Sequence, residues 1–356
     1  MHFVDGQIPA DYTNHIRAKY IFILLGFALA AATLIFSIGT GPVHISAADT
    51  LITLLGKSIS RQYDLIVWNI RLTQALAALT AGAGLAVCGA VMQAVLRNPL
   101  GSPFTLGISH AAAFGAAFSV MILDLGTMSS SSVGAINLDS PYLTTAVAFL
   151  FSMLAALLIV LISRMRNTTP EMMVLTGVAL GSLFTAGTMF LQFFADDIQL
   201  AAMVFWTFGD VARASWQDVA IMAVCTITAF LWFTANRWNF NAIEAGEETA
   251  KGLGVKVERI RITGMLISSL VTAVIVSFLG IIGFVGLVCP HIVRKIIGDD
   301  YRFLLPASCV FGGTLLLAAD TAARLILTPN VIPVSVLTAF LGAPIFIWLI
   351  IGGKQK

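Results

Sequence analysis

IRITGMLISSLVTAVIVSFLGIIGFVGLVCPHIVRKII, residues 260–297, is apolar almost without interruption as far as His291. As one straight helix it would reach on the order of 57 Å, nearly twice a hydrocarbon core of roughly 30 Å. The stretch must therefore fold back on itself, and Gly280, Gly283 and Gly286 mark the expected turn. Two apolar crossings with no polar connection between them require lipid as the solvent.

The same ruler, about 20 apolar residues per crossing, marks candidate spans at 20–39, 72–95, 104–124, 142–163, 171–195, 216–236, 304–326 and 333–352. With the folded stretch counted twice, the expected fold is an all-α integral membrane protein of about ten transmembrane helices, a single domain over 1–356. Composition agrees. Hydrophobic residues make up 58% of the chain and charged residues 11%, at a mean hydropathy of +0.93, so no water-facing surface can be assembled from it. A net charge of +2 argues against nucleic-acid binding. Cys88, Cys225, Cys289 and Cys309 lie in apolar stretches without metal-ligand spacing and are expected to be small buried residues. No small-residue cleavage site follows 20–39, which is expected to be retained.

Two apolar segments are too short to cross. Ser46 and Asp49 form a capping pattern ahead of Leu51, Ile52, Leu54, Leu55 and Ile59, which predicts an amphipathic helix on the membrane surface. Residues 200–208 predict a short helix or re-entrant piece. With ten spans and a cytoplasmic N-terminus, Arg17, Lys19, Arg97, Arg164, Arg166, Arg237, Lys251, Lys256, Arg259, Arg261, Arg294, Lys295, Arg302, Lys354 and Lys356 fall inside. That is 15 of the 20 basic residues, leaving Lys57, Arg61, Arg71, Arg213 and Arg324 outside. Both termini are thus expected in the cytoplasm, with 1–19 as a cytoplasmic N-terminal segment and 237–258 as the longest cytoplasmic loop.

No carboxylate falls near the middle of a span, which disfavours an ion-coupled secondary transporter. Paired intramembrane histidines and catalytic clusters are lacking too, which disfavours a membrane enzyme or haem-based electron carrier. Energy must come from elsewhere, yet this chain holds no nucleotide site. The GKS at 56–58 lacks the glycine a phosphate loop needs, because position 51 is Leu. Gly82, Gly84 and Gly89 do not form GxGxxG and predict close helix packing, as does GxxxG at Gly177 and Gly181. In the 239–258 loop, Glu247 and Lys251 can pair at i, i+4, and Gly252 and Gly254 suit a helix end. The residues alone leave a docking element and a solvated connector equally open.

RLTQALAALTAGAGLAVCGAVMQAVLRNPLGSPFTLGIS (71–109), TGVALG (176–181), GIIGFVGLVCPHIVRKIIG (280–298), LLPAS (304–308), AADTAARL (318–325) and LGAPIFIWLI (341–350) resemble the FecCD family. These are permeases of type II ABC importers for iron-siderophores, haem and cobalamin, in the inner membrane. The resemblance runs from about residue 65 to the end. It implies a second permease copy, two cytoplasmic ATPase subunits carrying the ATP and Mg, and an extracytoplasmic binding protein. No catalysis and no cofactor are then expected on this chain. It implies a coupling contact with the ATPase at about 242–255, through Glu244, Glu247, Glu248, Lys251, Gly252, Leu253 and Gly254. Binding-protein docking falls on Arg71 and Arg324, with Gln74 where the family's second arginine usually stands. For Arg324 the other reading is an ion pair with Asp320, and for Arg71 an interfacial anchor. The cytoplasmic gate corresponds to Asn167, Thr168, Thr169 and Pro170. The path is expected along the fifth span, with Met172, Thr176, Met189, Gln192 and Phe193 as candidates. His110 and His291 are expected to be hydrogen-bonded residues rather than metal ligands.

Overall fold

The computed structural model describes residues 10–41, 45–57, 59–123, 141–166, 169–327 and 330–352, and among them there is no strand. In chain order the helices are α1 (Ala10–Gly39), α2 (Ala47–Leu54) and α3 (Arg61–Asp64), which continues through a π-helical segment (Leu65–Arg71) into α4 (Leu72–Leu96). Then come α5 (Ile108–Ile122), α6 (Pro141–Arg166), α7 (Pro170–Phe194), α8 (Asp197–Thr207), α9 (Trp216–Ala235), α10 (Arg237–Glu244) and α11 (Glu247–Gly252). The chain closes with α12 (Val257–Leu279), α13 (Val285–Ile297), α14 (Tyr301–Ile326) and α15 (Val334–Gly352).

Each of the ten expected spans coincides with a helix, but they are not equal. Seven stretches of the described residues are long and apolar enough to cross a membrane: those of α1, α3–α4, α6, α7, α9, α12 and α14. At 15 and 13 residues, α5 and α13 reach only about 22 and 20 Å. Both start inside the bundle. The span expected at 104–124 loses its first turn because Gly107 adopts a left-handed conformation (φ 77°) wedged against Gly177 and Gly181 of α7. Those two glycines thus serve the close packing their spacing implies, with the turn before α5 as partner.

The fold-back of residues 260–297 occurs, with its turn built differently from expectation. Gly280 (φ 80°) ends α12, whereas the second left-handed residue is Phe284 (φ 66°), not Gly283. Gly286 lies within α13 and meets the Leu85 carbonyl of α4. The turn is held by neighbours: Asp210 N donates to the Leu279 carbonyl at 2.8 Å.

At the centre runs α4, packed against α14, α12, α13 and α9. Its alanines and glycines are almost all buried, which lets backbones approach where larger side chains would hold them apart. A Cβ on Gly82 would strike the Gly312 carbonyl of α14, and one on Gly89 the Gly286 carbonyl of α13. Cys88 and Cys289 are buried and Cys225 and Cys309 half-buried, all as free thiols. At the ends of helices the local chemistry follows the sequence. Ser46 caps α2 by accepting from Asp49 N at 3.1 Å, although α2 stops at Leu54, short of Ile59. The expected short piece near 200–208 is α8, which begins earlier, with Asp196 and Gln199 closing a capping box.

Candidate functional site

Because α4 and α14 run antiparallel, they define two opposite ends about 37 Å apart along the 25 residues of α4. Residues named in the sequence gather at both.

At the C-terminal end of α4 lie α10 and α11, the segment expected to contact an ATPase. Lys251 Nζ stands 3.5 Å from Glu247 and 3.1 Å from Glu248, so the expected i, i+4 pair forms and a second carboxylate joins it. These contacts are exposed and screened by water, so they add little to stability. Glu247 also reaches inward, its Oε2 accepting from Arg261 Nη2 at 3.0 Å. Burial would raise that carboxyl, but the bond and charge of Arg261 hold it below its ordinary value. Arg261 in turn donates from Nε to the Val95 carbonyl at 3.0 Å. Glu244, the last residue of α10, accepts from Arg294 Nη1 at 2.8 Å, and the Tyr301 hydroxyl lies 3.2 Å from its other oxygen. Asn241 accepts from Tyr301 N at 2.8 Å and donates to Asp300 at 3.2 Å.

α11 ends in a Schellman motif: Val255 N donates to the Ala250 carbonyl and Gly254 N to the Lys251 carbonyl, both at 2.9 Å. Gly254 (φ 82°) is the terminating glycine. Gly252, expected to share that role, is the last helical residue, with only Leu253 between them. Leu253 is 70% exposed at the tip, an apolar side chain with no cover in this chain. Gly254→Ala should lower stability by about 1–2 kcal/mol, since its Cβ meets nothing and only the left-handed backbone is strained. Denaturant unfolding in detergent measures it, and Gly252→Ala serves as the control without that strain.

At the other end, Arg71, Gln74 and Arg324 come together, turned inward. Arg71 is 6% exposed and donates from Nη1 to the Ile38 and Gly39 carbonyls at 2.8 and 3.2 Å. Arg324 donates to the Thr40 carbonyl at 3.3 Å and Ser37 Oγ at 2.7 Å. The last carbonyls of α1 have no partners within the helix and carry its negative dipole end, so two guanidinium groups are their natural cap. Arg324 Nε also meets Asp320 at 3.1 Å, the i, i+4 pair open from the sequence. Gln74 donates to the same carboxylate at 3.0 Å, so the residue that stands in place of an arginine has a partner of its own.

Between the ends, α7 buries one face (Met173, Gly177, Gly181, Phe184, Thr188, Leu191) and leaves the other uncovered. Met172, Met189 and Phe193 are exposed on that free face, while Thr176 and Gln192 are half-buried. A cavity of about 400 Å³ opens beside the middle of α7, lined by Gly177, Gly181, Ser182, Thr185 and Met189 with Phe104 and His110 from the α5 side. None of the described residues that line it is charged. Of the five path candidates only Met189 lines this cavity. His110, expected from the sequence to be a hydrogen-bonded residue, instead has a buried Nδ1 without a hydrogen-bond partner, as has the Nε2 of His291; the His110 ring lies 5.4 Å from Phe104, and its place on this cavity was not foreseen. Of the gate residues, Thr169 is the N-cap of α7 and Pro170 its first residue; Asn167 and Thr168 lie outside the described residues. Arg261, Arg294, Tyr301 and Asn241 were also missed as part of the α10–α11 attachment, because their partners come from distant segments.

Comparison with known proteins accords with this arrangement. MJ0087 of Methanocaldococcus jannaschii, named among ABC transporter permease proteins, is 50% identical over 97% of this chain and 98% of its own length. The vitamin B12 import system permease protein BtuC of Vibrio cholerae is 37% identical over 80% of this chain and 82% of its own. A solved structure described as an inward-facing metal-chelate type ABC transporter superposes with a TM-score of 0.80 at 29% identity, covering 93% of this chain and 98% of that one. The family model of FecCD transport proteins matches residues 29–352. With nearly the whole sequence accounted for in this way, the chain belongs to the FecCD transport family.

Proposed function

We propose that this type II ABC importer permease carries a ferric siderophore or a closely related metal chelate across the cytoplasmic membrane, by alternating access driven by partner ATPases. The observation that carries the reading is the pairing of two features: an α10–α11 segment with an exposed apolar tip at one end, and an uncharged cavity beside the open face of α7. A chelate whose metal charge is already met by its own ligands needs no charged wall, and weak contacts allow release. The uncovered face of α7, with Met172, Thr176, Met189, Gln192 and Phe193 on it or at its edges, suits a path shared with a second permease copy.

In this reading the chain makes and breaks no bonds of its own, and ATP and Mg bind the ATPase subunits. Glu244, Glu247, Glu248, Lys251, Gly252, Leu253 and Gly254 form the ATPase contact, and the segment before α7 forms the gate on that same side. The basic-residue asymmetry supports cytoplasmic termini. Docking of an extracytoplasmic binding protein at the opposite end is supported by the gathering of Arg71, Gln74 and Arg324 there; their inward bonds make them the frame of that surface.

Reconstitution tests the reading. The permease should copurify with its ATPase, and proteoliposomes supplied with binding protein should take up ferric siderophore only with ATP. Uptake driven by a proton or sodium gradient without ATP would overturn it. A corrinoid is the second reading, favoured by the similarity to BtuC, and uptake of vitamin B12 in place of the siderophore would establish it.

A further inference from the structure

The α10–α11 segment is joined to the bundle by two chains of polar contacts that run from half-buried carboxylates to buried groups, and both end on the same helix. From α11, the chain runs Glu247 to Arg261 to the Val95 carbonyl. From α10, it runs Glu244 to Arg294 and the Tyr301 hydroxyl, which lies 3.1 Å from Arg294 Nη2 and 3.3 Å from the Ala90 carbonyl. Val95 and Ala90 both belong to the last two turns of α4. Arg261 is 7% exposed and Tyr301 is fully buried.

Apolar helix faces can slide past one another at small cost, because dispersion and burial are non-directional. A buried guanidinium bonded at fixed length to a carboxylate and a carbonyl cannot slide; separating it strands a charge away from water. The Val95 carbonyl also needs this donor, since the last turn of a helix has none of its own. Any displacement of α10 or α11 must therefore carry the end of α4 with it or break these pairs.

α4 has no slack to absorb such a displacement along most of its length. Glycine-to-glycine contacts lock it to α14 at Gly82 and Gly312, and to α13 at Gly89 and Gly286. Its far end is bonded through Gln74 to Asp320 and through Arg71 to the end of α1. One helix thus joins the two ends of the molecule, with polar clamps at each.

We propose that Arg261, Arg294 and Tyr301 are positioning residues that gear the α10–α11 segment to α4, so that ATPase motion reaches the opposite end of the molecule through that helix. The inference rests on α10–α11 being the ATPase contact. None of the three belongs to that contact surface; they act through Glu247 and Glu244.

The test uses the full complex of permease, ATPase and binding protein in proteoliposomes, with ATP hydrolysis and cargo uptake measured on the same preparation. Tyr301→Phe deletes one hydroxyl, Arg261→Met removes one charge, and Arg261→Lys keeps it. In Tyr301→Phe and Arg261→Met the ATPase should remain bound and hydrolyse ATP, while cargo moved per ATP falls about tenfold, within the range of ordinary coupling energies. Arg261→Lys should recover part of the loss. Cargo per ATP unchanged from the native complex would overturn the proposal, even if total activity fell through poorer assembly. Should Arg261→Met fail to assemble, Tyr301→Phe decides on the same ratio. A native complex without ATP-dependent uptake would instead overturn the functional reading, and this inference with it.

Discussion

Arg324→Ala is expected to lower the stability of the bundle by about 3–5 kcal/mol, the cost of leaving a buried charge without its partner. Asp320 is 3% exposed, and among the described residues its carboxylate accepts from Arg324 and Gln74. Removing the guanidinium leaves that carboxylate with one neutral donor, and it also uncaps the end of α1 at Thr40 and Ser37. Asp320→Asn combined with Arg324→Ala should recover a large part of the loss, because the stranded charge is gone. Denaturant or thermal unfolding in detergent, run as a double-mutant cycle, measures both. A loss below about 1 kcal/mol is the value for a solvated surface pair, and it would show that this cluster opens to water.

Gly89→Ala is the second large effect. A methyl group there would fall inside the Gly286 carbonyl, and both partners are backbone, so neither can rotate away. α4 and α13 must separate, at a cost of about 1–3 kcal/mol or more for overpacking a tight interface. Gly89→Leu should leave little or no folded protein by size-exclusion chromatography in detergent. The matching control is Gly252→Ala, where a Cβ meets nothing within 4 Å. That change should be neutral or slightly stabilising, since alanine favours helix over glycine by about 0.5–1 kcal/mol. Equal effects at the two positions would contradict the close approach of α4 and α13.

The two cases also mark where reading a sequence stops. Gly82, Gly84 and Gly89 imply close packing by their composition, but nothing in the chain says which helix each one meets. Gly312 and Gly286 stand some two hundred residues away. The same holds for charge. Lys251 lies one turn from Glu247, so that pair is legible; Arg261 and Val95 are joined only because α12 packs beside α4. Gln74 looks like a lost arginine until Asp320 is found facing it.

What the sequence determined by itself was the membrane environment, the all-α fold, the fold-back of residues 260–297 and the cap and turn chemistry of α2 and α11. These follow from apolar run length and from local hydrogen bonding, which depend on neighbours in the chain. The tertiary structure decided the rest: that α5 and α13 begin inside the bundle, that Phe284 takes a left-handed turn expected of glycine, and that Arg71 and Arg324 face inward. It also decided that the charged residues of α10 and α11 converge on α4. Each of these depends on which distant backbone lies within a few ångströms, and helix packing sets that distance.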